Sequence, residues 1–253
     1  SGFENNCQAM DGRMVVIEKN GVPVFADDGE LLGYRGIARD ITERKSALEA
    51  LKKSRDDLHE SLEETVKSLA LAAEKRDPYT AGHQARVDNL ACAIARELGL
   101  PEKQVEGLHF AALLHDIGKI SLPSEYLAKP ARPSLQERAI IKCHTEVGYE
   151  IRKNIHFPWP VADIVYQHHE HLDGSGYPQG LTDKDILLEA KILTVADVVE
   201  AMSSHRPYRP SLGLETALEE IRNGRGTLYH AESVDACLRL IEAKKVDLSA
   251  AVW

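Results

Sequence analysis

From Thr42 to Arg76 the chain has neither proline nor glycine, and Leu48, Leu51, Arg55, Leu58, Leu62, Thr65, Leu69 and Ala72 recur three and four residues apart. That spacing predicts one long helix with a heptad seam, flanked by Glu, Lys and Arg as in a parallel two-helix coiled coil. Arg55 and Thr65 interrupt the seam, which leaves a single amphipathic helix lying on its own domain as the alternative. Upstream the pattern shortens to strands at 14–18, 22–25 and 31–40, with Gly21 and Asp28-Gly29 as turn signals. Asp40 with Glu43 forms a capping pair that opens the long helix. The helix is expected to stop near Arg76, because Asp77 precedes Pro78 and a residue before proline is pushed out of helical geometry. Asp77 then serves as N-cap of the next helix, with Pro78 in its first turn. Beyond it the period is helical, predicting helices at 78–98, 102–119, 135–153, 159–170, 185–204, 214–223 and 231–244. Ser134 with Glu137 makes a capping box at the start of the third.

Composition narrows the function. A formal net charge of -9 on 253 residues excludes generic nucleic-acid binding, which needs a basic surface. An anionic small molecule can bind only where arginines or metals reverse the field locally. No apolar run reaches the ~18 to 20 residues of a membrane helix, and no export signal opens the chain, so the expectation is a cytoplasmic protein without membrane contact. Cys7, Cys92, Cys143 and Cys237 show no CxxC pairing, which predicts neither disulfides nor a thiolate zinc site. The strands are too few for a two-faced sheet and the chain begins without methionine, so a cut through a larger domain is expected.

Polar residues recur where a core should be. In LHFAALLHDIGKI (108 to 120), His115 and Asp116 interrupt an apolar helix. In AKILTVADVVEAM (190 to 202), Asp197 is surrounded by valines and alanine. Burying such groups is costly unless a hydrogen bond or a metal compensates. The alternative for the first is a buried His-Asp hydrogen bond. His83 shares a helix face with Val87 and Leu90, and His144 follows Ile140 and Ile141; either alone reads equally as a satisfied core histidine. Adjacent His168 and His169 diverge by about 100° on a helix, so both reach one point only across a helix end. The set His83, His115, Asp116, His144, His168, His169 and Asp197 suits iron, manganese, nickel or zinc.

The order H…HDIGK…H…HH…GYP…D resembles the HD-GYP family, a branch of the HD phosphohydrolases that hydrolyses cyclic di-GMP. The resemblance runs from about Asp77 to Ala243 and implies an all-α HD-type helical bundle. It implies His83, His115, Asp116 and Asp197 as ligands shared with simpler HD enzymes, Asp116 bridging two divalent ions, with iron or manganese favoured over nickel or zinc. His144, His168 and His169 would complete the second position. Lys119 would meet the scissile phosphate, making it catalytic with Asp116. Arg206, Arg209, Tyr177 and Asp77 would bind or support substrate. Tyr79 stands where three-metal members carry glutamate, which points to two ions. GTLYHAESV (226 to 234) replaces an aromatic-Asp-Pro turn and reads as drift away from the chemistry. GYRGIARDITERK (33 to 45) resembles the last strand and exit of a PAS sensor domain. The implied organisation is a partial PAS domain (1–41), a coiled-coil linker helix (42–76) that makes a homodimer, and an HD-GYP domain (77–253).

The function these readings imply is metal-assisted hydrolysis of cyclic di-GMP to pGpG and onward to GMP, adjusted by the sensor. The alternatives are an HD phosphohydrolase acting on another cyclic dinucleotide such as cyclic GMP-AMP, and a catalytically weak receptor. Within HHEHLDGSGYP (168 to 178), Glu170, His171 and Asp173 are expected to brace the loop.

Overall fold

The computed structural model describes residues 3–76, 81–129, 131–153, 155, 157–204 and 211–246. The chain forms two compact units, Ser1–Leu62 and Glu63–Trp253. In the first, β1 (Phe3–Gln8), β2 (Met14–Phe25) and β3 (Leu31–Asp40) make an antiparallel sheet in that order. The expected turn at Gly21 is absent: 14–18 and 22–25 belong to one strand, with Gly21 opposite Gly36. A Cβ on Gly36 would fall 2.2 Å from the Asn20 carbonyl oxygen, so this crossing requires glycine. β1 carries only Phe3 and Cys7 as apolar residues, which is why it has no period-2 signal. Phe3, Val22, Phe25, Tyr34 and Ile37 are exposed.

The long helix α1 spans Thr42–Glu74. Asp40 accepts the Thr42 amide at 2.9 Å and the Thr42 hydroxyl at 2.6 Å, so Thr42 takes the place expected of Glu43. Leu48, Leu51 and Leu58 on its first half are exposed. In the second unit, its last turns bury Val66, Ala70 and Ala73 in the core, one position round from Thr65, Leu69 and Ala72. Helix-on-domain packing therefore describes that half.

The second unit is helical: α2 (His83–Glu97), α3 (Glu102–Leu114), α4 (Ser124–Leu127), α5 (Leu135–Lys142), α6 (His144–Arg152), α7 (Val161–Gln167), α8 (Leu188–Ser203), α9 (Leu214–Asn223) and α10 (Ala231–Glu242). Val87, Leu90 and Ile94 of α2, Leu108 and Phe110 of α3, Ile192 and Val195 of α8, and Val234 of α10 form the core. The capping box of Ser134 and Glu137 is present.

Three expected helices differ. α2 begins at His83, and buried Glu74 accepts the amides of Gly82 and Gln84 at its start; the expected cap Asp77 and first-turn Pro78 lie outside the described residues. The stretch 102–119 ends as α-helix at Leu114 and resumes as a 3-10 turn from Ile117 to Ser121. The stretch 135–153 breaks at Cys143, because the His144 ring and the Thr145 hydroxyl take the carbonyls of Ile141 and Lys142 that a continuous helix would offer to later amides.

Candidate metal centre

Three histidines share one local device. His115 follows the last residue of α3, His144 follows the break after α5, and His168 follows the last residue of α7. Each ring turns back to the carbonyl three residues earlier: His115 Nδ1 to Ala112 at 2.7 Å, His144 Nδ1 to Ile141 at 2.8 Å, and His168 Nδ1 to Val165 at 2.6 Å. A carbonyl only accepts, so Nδ1 carries the proton and Nε2 presents a lone pair. All three Nε2 atoms are buried and have no hydrogen-bond partner. Orphaned buried acceptors are rare in folded proteins, and three aimed into one cluster fit cation ligands.

The carboxylates complete the arrangement. Asp116 Oδ2 lies 3.6 Å from His83 Nε2 and 3.5 Å from His115 Nε2, whereas Oδ1 faces His144 Nε2 at 3.6 Å. Asp197, from α8, places Oδ1 3.3 Å from His83 Nε2 and 3.9 Å from His115 Nε2. The ligating atoms of His83, His115 and Asp197 fall within 4.8 Å of one another, as do those of His144, His168 and His169 and those of His115, Asp116 and His168. Every one of the seven residues expected from the sequence therefore joins one cluster. Adjacent His168 and His169 both reach it because α7 has ended at Gln167. Gly118 lets the 3-10 turn close on α6, since a Cβ there would fall 1.9 Å from the His144 carbonyl oxygen. That approach brings Asp116 against His144.

Electrostatics prepare the same state. Burial pushes the His115, His144 and His168 pKa values down, for His168 with help from His169, and takes His169 to about 3. Burial pushes Asp116 up, but Lys119 and the imidazoles of His115, His144 and His83 outweigh it and hold the carboxyl well below its ordinary value. Asp197 is likewise held down, burial being outweighed by His83 and the other histidines. Neutral imidazoles beside ionised carboxylates are the forms that bind cations.

Lys119 Nζ donates to Asp116 Oδ2 at 2.6 Å. The Tyr177 ring stacks on His169 with centroids 4.7 Å apart. Glu170 accepts the amides of Gln179, Gly180 and Leu181, and Asp173 accepts that of Ser175 at 2.9 Å, so these acids brace the loop. His171 Nδ1 pairs with the Ser175 hydroxyl at 3.1 Å, outside the cluster. The 226–234 segment backs the same loop through a Leu172 amide to Leu228 carbonyl bond of 3.1 Å, closer to the site than its sequence drift implied. Asp77, Tyr79, Arg206 and Arg209 lie outside the described residues.

Two residues went unrecognised in the sequence. Glu200 binds His83 Nδ1 and holds Arg86 Nη2 at 2.6 Å and the Ser204 hydroxyl at 2.7 Å. Burial opposes its ionisation, yet His83, Ser204 and Arg86 draw its pKa to about 2. Its position three residues after Asp197 on one helix face was the available signal. Lys142 places Nζ 4.4 Å from the centre of the Tyr177 ring, across a chain separation that no local pattern spans.

A family model described as an HD domain matches residues 67–232. The chain is 39% identical over 212 residues to the cyclic di-GMP phosphodiesterase response regulator RpfG of Xanthomonas campestris, covering 83% of this chain and 56% of that one. It is 42% identical over 179 residues to a cyclic di-GMP phosphodiesterase of Thermotoga maritima (70% and 49%), and 35% identical over 184 residues to the 3'3'-cGAMP-specific phosphodiesterase 2 of Vibrio cholerae (72% and 35%). The chain spans about half the length of the first two relatives. Among solved structures it resembles an HDG"Y"P protein from Bdellovibrio bacteriovorus, with TM-score 0.55, 23% identity and coverage of 63% of this chain and 51% of that one. A cyclic GMP-AMP specific phosphodiesterase of Vibrio cholerae gives TM-score 0.56, 19% identity, 73% and 51%. These structures share the helical fold.

Proposed function

Because the chain belongs to the HD domain family, we propose that residues 77–253 form a phosphodiesterase that opens cyclic di-GMP to linear pGpG, with GMP as the product of a second cut. The observation that carries this reading is the division of Asp116: one oxygen faces His83 and His115, the other faces His144. A carboxylate so placed suits two ions, one held with His83, His115 and Asp197, the other with His144, His168 and His169. The all-nitrogen and oxygen donor set suits iron or manganese, and also nickel or zinc. Bound there, such ions would supply Lewis acidity to a phosphoryl oxygen and bring water to nucleophilic strength near neutral pH.

The chain's own residues supply the remainder. Lys119 is half-buried beside Asp116 and offers a fixed positive charge where charge grows on a phosphoryl oxygen. Tyr177, pressed on His169, presents an aromatic wall suited to a guanine face, and Glu170 fixes the loop that carries it. Arg206 and Arg209 would grip the phosphates and Asp77 would support the site. The first unit is read as the end of a PAS sensor whose signal passes along α1 into the catalytic unit, and α1 as a homodimer seam in a cytoplasmic protein. Supporting the seam, Leu48, Leu51 and Leu58 are 64%, 68% and 72% exposed. No helix among the described residues is long and apolar enough to cross a membrane. A monomer in light scattering at high concentration contradicts the seam.

The 35% identity to a cGAMP-specific enzyme favours cyclic GMP-AMP as the second candidate substrate. Anaerobically prepared protein, loaded with iron or manganese and incubated with each dinucleotide, separates the readings by chromatography of products. The expected result is faster loss of cyclic di-GMP with pGpG appearing first. Binding of cyclic di-GMP without linear product under either metal overturns the enzyme in favour of a receptor.

A further inference from the structure

A second group of ligating side chains spans α2 and α3, separate from the histidine cluster. Asp88 and Cys92 lie one turn apart on α2, and His109 faces them from α3. Asp88 Oδ1 is 3.2 Å from Cys92 Sγ and 2.9 Å from His109 Nδ1, and the three ligating atoms lie within 4.8 Å of one another. Glu63 Oε1, from α1, stands 3.9 Å from His109 Nε2. Cys92 is buried, and Asp88 and His109 are half-buried. An aspartate-histidine pair is a common structural contact; a buried thiol converging on the same carboxylate oxygen adds a soft donor to it.

We propose that Asp88, Cys92 and His109 form a structural site for a zinc-class divalent ion that ties α2 to α3. Zinc bonds of about 2.0 Å to oxygen or nitrogen and about 2.3 Å to sulfur give tetrahedral edges slightly longer than the two Asp88 spacings, so a small outward movement of the Asp88 carboxylate admits the ion. Thiolate, imidazole and carboxylate together select zinc or cobalt over magnesium or calcium. Burial and the Asp88 carboxylate keep the free thiol protonated. Entry of a dication displaces the thiol proton and the Nδ1 proton of His109 to water, the neutral ring keeping one proton on Nε2 toward Glu63, and Asp88 exchanges those two hydrogen bonds for one bond to the metal. Water completes four-coordination. α2 carries His83 at its start and α3 leads into His115, so the ion fixes the spacing of two elements that build the main cluster. The chain pattern predicted no thiolate zinc site because these donors form no local motif; helix packing assembles them.

Cobalt(II) tests the site on the full chain, because thiolate-to-cobalt charge transfer absorbs in the near ultraviolet and the histidine cluster offers no sulfur. Cys143 adjoins His144, so Cys143→Ser is the control. The expected result is a band in the wild type and in Cys143→Ser that zinc displaces and Cys92→Ser abolishes, with His109→Ala and Asp88→Asn each weakening cobalt binding at least about 10-fold. Asp88→Asn keeps the thiol and the apolar contacts of α2, so an undiminished band in that variant overturns the site. A wild type without the band, or a band that survives Cys92→Ser, overturns it as well.

Discussion

The two halves of the histidine cluster are built differently. His83, His115 and Asp197 include a carboxylate, and His83 is backed by the ionised Glu200, itself anchored on Arg86. His144, His168 and His169 are all imidazole; His144 and His168 are oriented by backbone carbonyls, and His169 is covered by Tyr177. The first half carries negative charge of its own, whereas the second depends on sharing Asp116. What differs between the halves is how a cation would be held, the all-histidine half needing the one carboxylate that the close approach at Gly118 places beside His144.

Removing the shared group breaks the comparison most severely. Asp116→Ala is expected to lose both ions and at least about 10³-fold in kcat, consistent with the several kcal/mol that such centres supply; retention of one ion would show that the halves are independent. Counted by elemental analysis in a Cys92→Ser background, His169→Ala should lower the metal content from two ions to one and leave the first half filled. Loss of both ions there would make the all-histidine half the anchor. Glu200→Gln should weaken only the half that contains His83, by about 10- to 100-fold in metal affinity. An equal loss in both halves would remove the distinction.

Acid sharpens the contrast in the metal-free protein. His115, His144, His168 and His169 have folded pKa values below the ordinary 6.5, so as pH falls below 6.5 the unfolded chain takes up protons that the folded chain does not. Stability therefore declines with falling pH, by about 1.4 kcal/mol per pH unit for each histidine so held. Asp116, Asp197 and Glu200, whose pKa values are depressed, add their loss only below the ordinary carboxylate range. Urea midpoints that stay level between pH 7 and 5 would contradict this. The smallest effect is expected from Glu170→Gln, which weakens three amide contacts of the loop beside the all-histidine half: a rise in KM below about 10-fold with kcat nearly unchanged.

Much of the cluster was legible because its residues are chemically conspicuous in an apolar setting: histidines and aspartates among valines and leucines stand out without a structure. The halves could be assigned only by resemblance, since spacing says nothing about which oxygen of Asp116 faces which ring. The helix ends at Leu114 and Cys143 were missed because no proline or glycine marks them. Side chains that take backbone carbonyls stop those helices, and the same rings are the ones that build the centre. In the sheet, Gly21 read as a turn because a glycine inside a strand, here opposite Gly36, looks the same in sequence as one needed for a positive φ. Glu200 was hidden by familiarity, an acid at the end of a helix, although its offset from Asp197 placed it on the inward face.

The central claim is one centre in which two ions share Asp116. Electron paramagnetic resonance of the manganese-loaded protein tests it most directly, since neighbouring ions joined by a bridging carboxylate are exchange-coupled. The account predicts a coupled pair signal that collapses to an isolated-ion signal in His169→Ala. Only isolated-ion signals from the fully loaded wild type would contradict it.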